Sequence, residues 1–280
     1  MACQLSVSDH MCLIIFAWDP QSDTPLVVAA NRDEFHARPT AAATFWPQYP
    51  WLLAGRDLSQ GGTWMGFTRD GRFAAITNYR DPGRTAPGRR SRGELPLDYL
   101  TGDTSPRDYL REVAGHADDY AGFNILAGRD DGLWCYGNSG PEAQPGKLAA
   151  GIYGLSNARL DTPWPKVTLG KLRLRQLLES AAPCHEALQQ VVADTRPATP
   201  EELHPLGLDQ AMAPQLSAQF IRTRDYGTRS TTTLRVRRDS KVVDTATVSW
   251  RELSFDDRGQ LQGSEQRDFS CRWRFQATGM

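Results

Sequence analysis

Paired cysteines are missing from this 280-residue sequence: it has five, at positions 3, 12, 135, 184 and 271, with an odd count and no CxxC spacing. Such a set reads as reduced thiols rather than a disulfide framework, and the setting it implies is the cytoplasm. Missing too is any apolar run near the roughly 20 residues that span a bilayer. The first ten residues lack the apolar stretch of a secretory signal. Charge of one sign is absent as well: 32 Lys+Arg against 33 Asp+Glu leave a formal net charge of −1, so no general attraction to nucleic acid is expected. The basic residues cluster locally. Residues 80–92, set among Gly and Pro, read as a solvated loop, and residues 222–238, alternating with Thr and Val, as the exposed face of a strand. No GxGxxG follows a strand, and no P-loop, GxSxG elbow or HExxH occurs, so dinucleotide, nucleotide, α/β-hydrolase and zincin chemistries lack their mechanical parts. What is there is globular: 40% hydrophobic residues and eight tryptophans suffice for a sizeable core.

The most informative stretch pairs residues 11–18, Met-Cys-Leu-Ile-Ile-Phe-Ala-Trp, with residues 25–34, Pro-Leu-Val-Val-Ala-Ala-Asn-Arg-Asp-Glu. Both read as buried strands, and residues 19–24 between them are dense in turn formers, so a hairpin is expected. Symmetric pairing about that turn sets Trp18 opposite Pro25 and Cys12 opposite Asn31. Cys12 then meets Arg32, Asp33 and Glu34, and a neighbouring guanidinium favours ionisation of a thiol with a reference pKa of about 8.5. Cys12 also follows Met11. Removal of everything before Cys12 would leave a free α-amine, of reference pKa about 8, able to act as its general base. The ten residues ahead of Met11 are accordingly expected to be an extension or removable leader, with residues 11–280 forming one domain.

Further strands are expected at residues 62–67 and 72–77 about the Asp70-Gly71 turn, at 122–127, 133–136 and 151–156, and then at 229–236, 245–253 and 269–275. Helices come between them. Ser91-Arg-Gly-Glu94 has the form of a capping box, Ser105-Pro106 opens a helix through residue 114, and further helices are expected at 163–180 and 185–193. Strands at both ends with helices between indicate a single α+β domain with antiparallel sheets. Among the five scattered histidines only His36 follows the Asn31–Phe35 segment closely, and His185 at a helix start suits a structural role.

Taken in order, Met11-Cys12, Asn31-Arg32-Asp33-Glu34, Gly62-Thr63-Trp64, Thr77-Asn78-Tyr79-Arg80, Gly122-Phe123-Asn124, Gly154-Leu155-Ser156-Asn157, Thr162-Pro163-Trp164 and Tyr226-Gly227-Thr228-Arg229 resemble the NRDE family, also called the transport and Golgi organisation family. The resemblance implies an α+β fold, a four-layer αββα sandwich of two antiparallel sheets like that of the N-terminal-nucleophile (Ntn) hydrolases. It extends distantly to the choloylglycine and penicillin-V acylase branch of cysteine enzymes. By that resemblance Cys12 matches the nucleophile, Arg32 and Asp33 the pair that holds it, and Asn157 the asparagine near the oxyanion site. Asn78 and Arg229 are further matches.

Two functions are consistent with these residues. The first is a cysteine hydrolase or acyltransferase needing no cofactor, in which Cys12 attacks an amide or other acyl carbonyl of a small molecule. Its freed amine is the base, Asp33 orients that amine, Arg32 pairs with the thiolate, and Asn157 and Asn78 donate to the oxyanion; Trp18 and Trp64 are candidates to line an acyl pocket. The second, which the resemblance also implies, is a non-catalytic carrier of haem or an acyl-CoA-like lipid, with Cys12 or His36 on the iron and arginines on propionate or phosphate.

Overall fold

The structure, a computed structural model, describes residues 12–80, 88–140, 143–180, 182–206 and 214–274. The expected extension over residues 1–10, and Met11 with it, lie outside the described residues. Strands β1 (Cys12–Trp18) and β2 (Leu26–Phe35) form the expected hairpin, but one residue out of the expected register: Cys12 faces Arg32 and Trp18 faces Leu26. Proline is the cause. Pro25 has no N–H to give the ladder, so it serves only as an acceptor, for the Asp19 N–H at 2.9 Å, and pairing begins at Leu26. The shift matters because residues opposite one another share a face while neighbours along a strand do not. Cys12 and Arg32 therefore share one face, and Asp33 belongs to the other.

The remaining strands are β3 (Thr40–Trp46), β4 (Tyr49–Asp57), β5 (Met65–Thr68), β6 (Phe73–Asn78), β7 (Phe123–Arg129), β8 (Gly132–Gly137), β9 (Gly146–Lys147), β10 (Gly151–Leu155), β11 (Tyr226–Arg238), β12 (Thr245–Phe255) and β13 (Leu261–Arg272). They form two antiparallel sheets, one ordered β10-β1-β2-β11-β12-β13 and the other β3-β4-β5-β6-β7-β8-β9. Helices α1 (Glu94–Thr101) and α2 (Pro106–Gly115) cover the second sheet; α3 (Pro165–Ser180) and α4 (His185–Val191) cover the first, and a short α5 (Pro200–Leu203) follows.

The core accordingly has three slabs. Ile14, Phe16, Val28, Phe67, Leu234 and Trp250 fill the space between the sheets. Leu13, Ile15 and Val27 meet Val167, Leu174 and Leu188 under α3 and α4, while Leu52, Ala74 and Ile125 meet Leu95, Tyr99 and Leu110 under α1 and α2. This is the four-layer αββα sandwich expected. Burial on both faces explains why β1 and β2 read as unbroken apolar runs rather than alternating ones. No described helix is long and apolar enough to cross a membrane.

Four sequence expectations change. The Ser91 capping box does not form: α1 begins at Glu94 with Gly93 as its cap, because the Glu94 carboxylate is taken by the Tyr120 hydroxyl at 2.7 Å and by Arg90. Residues 40–57 carry two further strands, β3 and β4, whose Ala-rich and turn-rich stretches have weak strand signals of their own. The last strand starts at Leu261 rather than 269, since its polar first half is extended by pairing with β12 rather than by burial. Trp18 is inter-sheet core, edge-on to Trp273 at 6.3 Å, and does not line the cavity at Cys12. The α2 cap is as expected, with Ser105 Oγ accepting from Asp108 N–H at 3.2 Å and proline in the first turn.

Candidate active site

The sheet order brings the start of β1 together with the ends of β2, β6 and β10. Strand β10 returns from mid-chain to lie beside β1, which sets Asn157 against Cys12. Strand β11 flanks β2 on its other side, which sets Thr228 opposite Asp33. Between the sheets at this end lies a cavity of about 300 Å³, lined by Cys12, Arg32, Asp33, Trp64, Asn78 and Arg92 among others.

Cys12 is half-buried. Its backbone N–H donates to Asn157 Oδ1 at 3.2 Å and its sulfur lies 3.9 Å from the Asp33 carbonyl oxygen. Burial and the Asp33 carboxylate push the thiol up to about 12, and Arg32 pulls the other way without prevailing. The expectation that the guanidinium would favour a thiolate is thus reversed in net effect. With its N-terminal peptide intact, Cys12 holds its proton.

Arg32 is buried and thoroughly engaged. It pairs with Glu34 at 3.6 Å, donates to Thr40 Oγ1 at 3.3 Å and stacks 4.4 Å over the Trp64 ring. Trp64 reaches that position because β4 offers it a glycine: a Cβ at Gly55 would fall 2.2 Å from the indole. Gly55→Ala is expected to push Trp64 off Arg32 and cost about 1–3 kcal/mol, the range for overpacking. Urea unfolding together with a changed tryptophan emission would check it.

Asp33 projects to the α3 side. Oδ1 accepts from the Thr228 hydroxyl at 2.6 Å, whereas Oδ2 is buried with no hydrogen-bond partner among the described residues. Burial raises its pKa, opposed chiefly by Lys166. Asn157 is fully buried: its Oδ1 takes the Cys12 N–H and the Ser156 hydroxyl, and its Nδ2 donates to the Asn78 carbonyl at 3.0 Å. It does not line the cavity; Asn78 does. Arg229 lies outside the cavity as well. It occupies the bulge between Thr228 and Ser230 and fastens the end of β2, with Nη1 on the carbonyls of Phe35, His36 and Arg38.

His36 is also separated from the cavity, with Nε2 3.2 Å from the Thr223 carbonyl oxygen. Of the two iron ligands considered from sequence, Cys12 lines the cavity and His36 does not. Among the described residues no group of three His, Cys, Asp or Glu side chains is placed to hold a metal ion. His185 has the structural role expected, bridging Thr233 at 2.7 Å and Ser249 at 2.8 Å, with burial lowering its pKa to about 4.

Three participants were not legible in the sequence. Arg92, assigned there to a solvated loop, is a cavity wall residue whose pKa is lowered by burial; it donates to the Gly122 carbonyl at 2.9 Å. Arg38 joins Asp57 at 2.5 Å and Glu34 at 3.6 Å along the same wall. Lys166 is buried in the first turn of α3, behind Asp33. In all, five arginines and three acidic residues border the cavity, Asp33 with its carboxylate turned away, a positive balance in a chain whose net charge is −1.

Comparison with known proteins agrees with the ordered motifs. The family described as Transport and Golgi organisation 2 matches residues 11–246, and the chain belongs to it. The Transport and Golgi organization protein 2 homologs of Bos taurus and Homo sapiens are 37% and 36% identical to it over 255 residues, covering 84% of this chain and 92% of theirs. Among solved structures, the Caenorhabditis elegans ortholog of N-acylethanolamine-hydrolyzing acid amidase aligns with TM-score 0.43 and 8% identity, covering 65% of this chain and 86% of that one. A mutant conjugated bile acid hydrolase from Clostridium perfringens aligns with TM-score 0.41 and 9% identity, covering 92% and 96%.

Proposed function

We propose that the chain is a cytoplasmic cysteine hydrolase or acyltransferase acting on a small acyl amide or thioester, with Cys12 as its nucleophile once residues 1–11 are removed. The observation that supports this most is the unpartnered Asp33 Oδ2, buried beside a cysteine whose backbone nitrogen is already held by Asn157. An unpaired buried carboxylate oxygen is costly, and the ammonium or amine of a chain beginning at Cys12 would satisfy it. The thiol cannot act unaided, because burial keeps it protonated. A freed α-amine takes the thiol proton as sulfur bonds to the carbonyl carbon, and then delivers that proton to the departing amine or thiol. Water hydrolyses the resulting thioester, or a second acyl acceptor takes its place. No step requires a cofactor. Asn78, on the cavity wall, is the side chain assigned to the developing oxyanion; Asn157 is assigned to hold Cys12 in place.

The surplus of arginine suits a substrate that carries an anionic group near its scissile carbonyl. Arg92 is the best placed to meet it: unlike Arg32 and Arg38, it has no carboxylate partner among the described residues. Arg92→Met is expected to raise KM for anionic acyl substrates by about 10- to 100-fold, the value of one charge-assisted hydrogen bond, and to leave neutral analogues unchanged. Steady-state kinetics on paired substrates would measure it.

The test of the reading itself is a panel of acyl amides and thioesters offered to a chain that begins at Cys12. Turnover, an acyl adduct on Cys12 by mass spectrometry and complete loss of both in Cys12→Ala are expected. No turnover across the panel, together with tight binding of acyl-CoA or haemin, would replace this reading with that of a carrier.

A further inference from the structure

We propose that Lys166 is a positioning residue for this centre: a buried cation behind β2 that keeps Asp33 ionised, so that Asp33 can hold the freed amine of Cys12. Its purpose rests on the Cys12 reading above; its geometry does not.

Val27 and Ala29 of β2 pack in the helix layer with Val167, and Asn31 reaches the Gln219 carbonyl there, so alternation along β2 turns Arg32 into the space between the sheets and Asp33 to the helix layer, where Lys166 occupies the first turn of α3. Lys166 is 3% exposed. Its Nζ donates to the Leu216 carbonyl at a long 3.4 Å and lies 5.7 Å from the centre of the Trp164 ring. Those are thin contacts for a buried ammonium, which persists in an apolar slab only where an opposite charge offsets its desolvation. The backbone of this turn is fixed independently, with the Lys166 carbonyl accepting from Gln219 Nε2 at 2.9 Å, so the lysine is not needed to anchor the helix.

Asp33 presents the complementary want. Thr228 satisfies Oδ1 and nothing described satisfies Oδ2. The charged or titratable groups acting on it are Lys166 from α3, Arg32 and Glu34 from β2, and Cys12 from β1, while β11 sets the neutral Thr228 against it, with Arg229 turned to the carbonyls at the end of β2. Arg32 is already committed to Glu34 and Trp64, and Glu34 opposes ionisation. Lys166 is therefore the uncommitted cation. The pair acts through space rather than by contact. Burial drives Asp33 up and Lys166 down, and each is the other's largest counterweight.

The experiment is a titration of the Asp33 carboxyl by carbon NMR, its resonance assigned by loss in Asp33→Asn, on chains that begin at Cys12. Lys166→Met is expected to raise the Asp33 midpoint by at least one pH unit, a tenfold gain in proton affinity, and Lys166→Arg to restore it. Because the ionised carboxylate then survives only at higher pH, the acid limb of kcat/KM should move upward by the same amount. A purely structural lysine would lower stability and leave that limb in place. An Asp33 midpoint unmoved in Lys166→Met overturns the proposal. Should that variant not fold, coupling is reciprocal: Asp33→Asn must lower the Lys166 Nζ pKa by the same factor, and an unmoved lysine is equally fatal. If the carboxyl midpoint moves but no acyl substrate is turned over, the hydrolase reading fails and the Lys166–Asp33 coupling stands.

Discussion

Leaving Met1–Met11 attached to Cys12 is expected to lower turnover by about 100- to 10,000-fold relative to a chain that begins at Cys12, the range a positioned general base contributes. The argument is one of protons. An amide nitrogen is not basic, and in the intact chain the Cys12 N–H is a donor, given to Asn157 Oδ1 at 3.2 Å. Burial and the Asp33 carboxylate meanwhile push the thiol up to about 12, so at neutral pH it keeps its proton. Removing the preceding residues converts that donor into an amine beside its own sulfur and within the field of the Asp33 carboxylate. Asn157 Oδ1 then accepts one amine hydrogen, which orients the lone pair. Intact-mass measurement on protein from its native host, set beside turnover of the two chains, tests this directly. Equal turnover of both chains, with Cys12 still internal in one, would remove the N-terminal-nucleophile mechanism.

Much of this centre was legible from sequence, and the parts that were not share a physical origin. The hairpin was readable because both β1 and β2 are apolar runs around a turn-rich segment, yet its register hinged on the single missing N–H of Pro25. That one-residue slip decides which side chains share the cavity face: it pairs Cys12 with Arg32 rather than with Asn31. Asn31 instead turns to the helix layer, where its Nδ2 donates to the Val192 and Gln219 carbonyls, each at 2.8 Å. Arg92 was misread because a basic stretch among Gly and Pro looks the same whether solvent or a cavity receives it. Lys166 was missed for a related reason: in the run Pro163-Trp-Pro-Lys166 nothing local says that the lysine points inward. Its surroundings, the Leu216 carbonyl and the Trp164 ring, come together only in the folded chain. Asn124 and Asn157 show the same limit. Each is an ordinary strand-end asparagine in sequence, but in the fold Asn124 Nδ2 donates to the Ser156 and Ala158 carbonyls and so joins the two sheets.

The two asparagines assigned to the oxyanion from sequence are expected to separate when substituted. Asn78 lines the cavity, and Asn78→Ala is expected to lower kcat by about 100- to 1000-fold, the effect of losing one oxyanion donor, with little change in KM or stability. Asn157 is buried away from the cavity, its oxygen on the Cys12 N–H and the Ser156 hydroxyl and its nitrogen on the Asn78 carbonyl. Asn157→Ala takes a partner from the Cys12 N–H and from the Asn78 carbonyl, at about 1–3 kcal/mol for each group that water cannot reach, while the Ser156 hydroxyl keeps the Cys12 carbonyl at 2.7 Å. It also frees the end of β1, so kcat should fall through loss of position. The distinguishing readout is urea unfolding: Asn157→Ala should unfold at clearly lower denaturant than the parent chain, whereas Asn78→Ala should unfold with it. The reverse pattern, a stable Asn157→Ala that binds substrate normally but turns it over slowly, would return the oxyanion role to Asn157 and demote Asn78 to its backbone carbonyl.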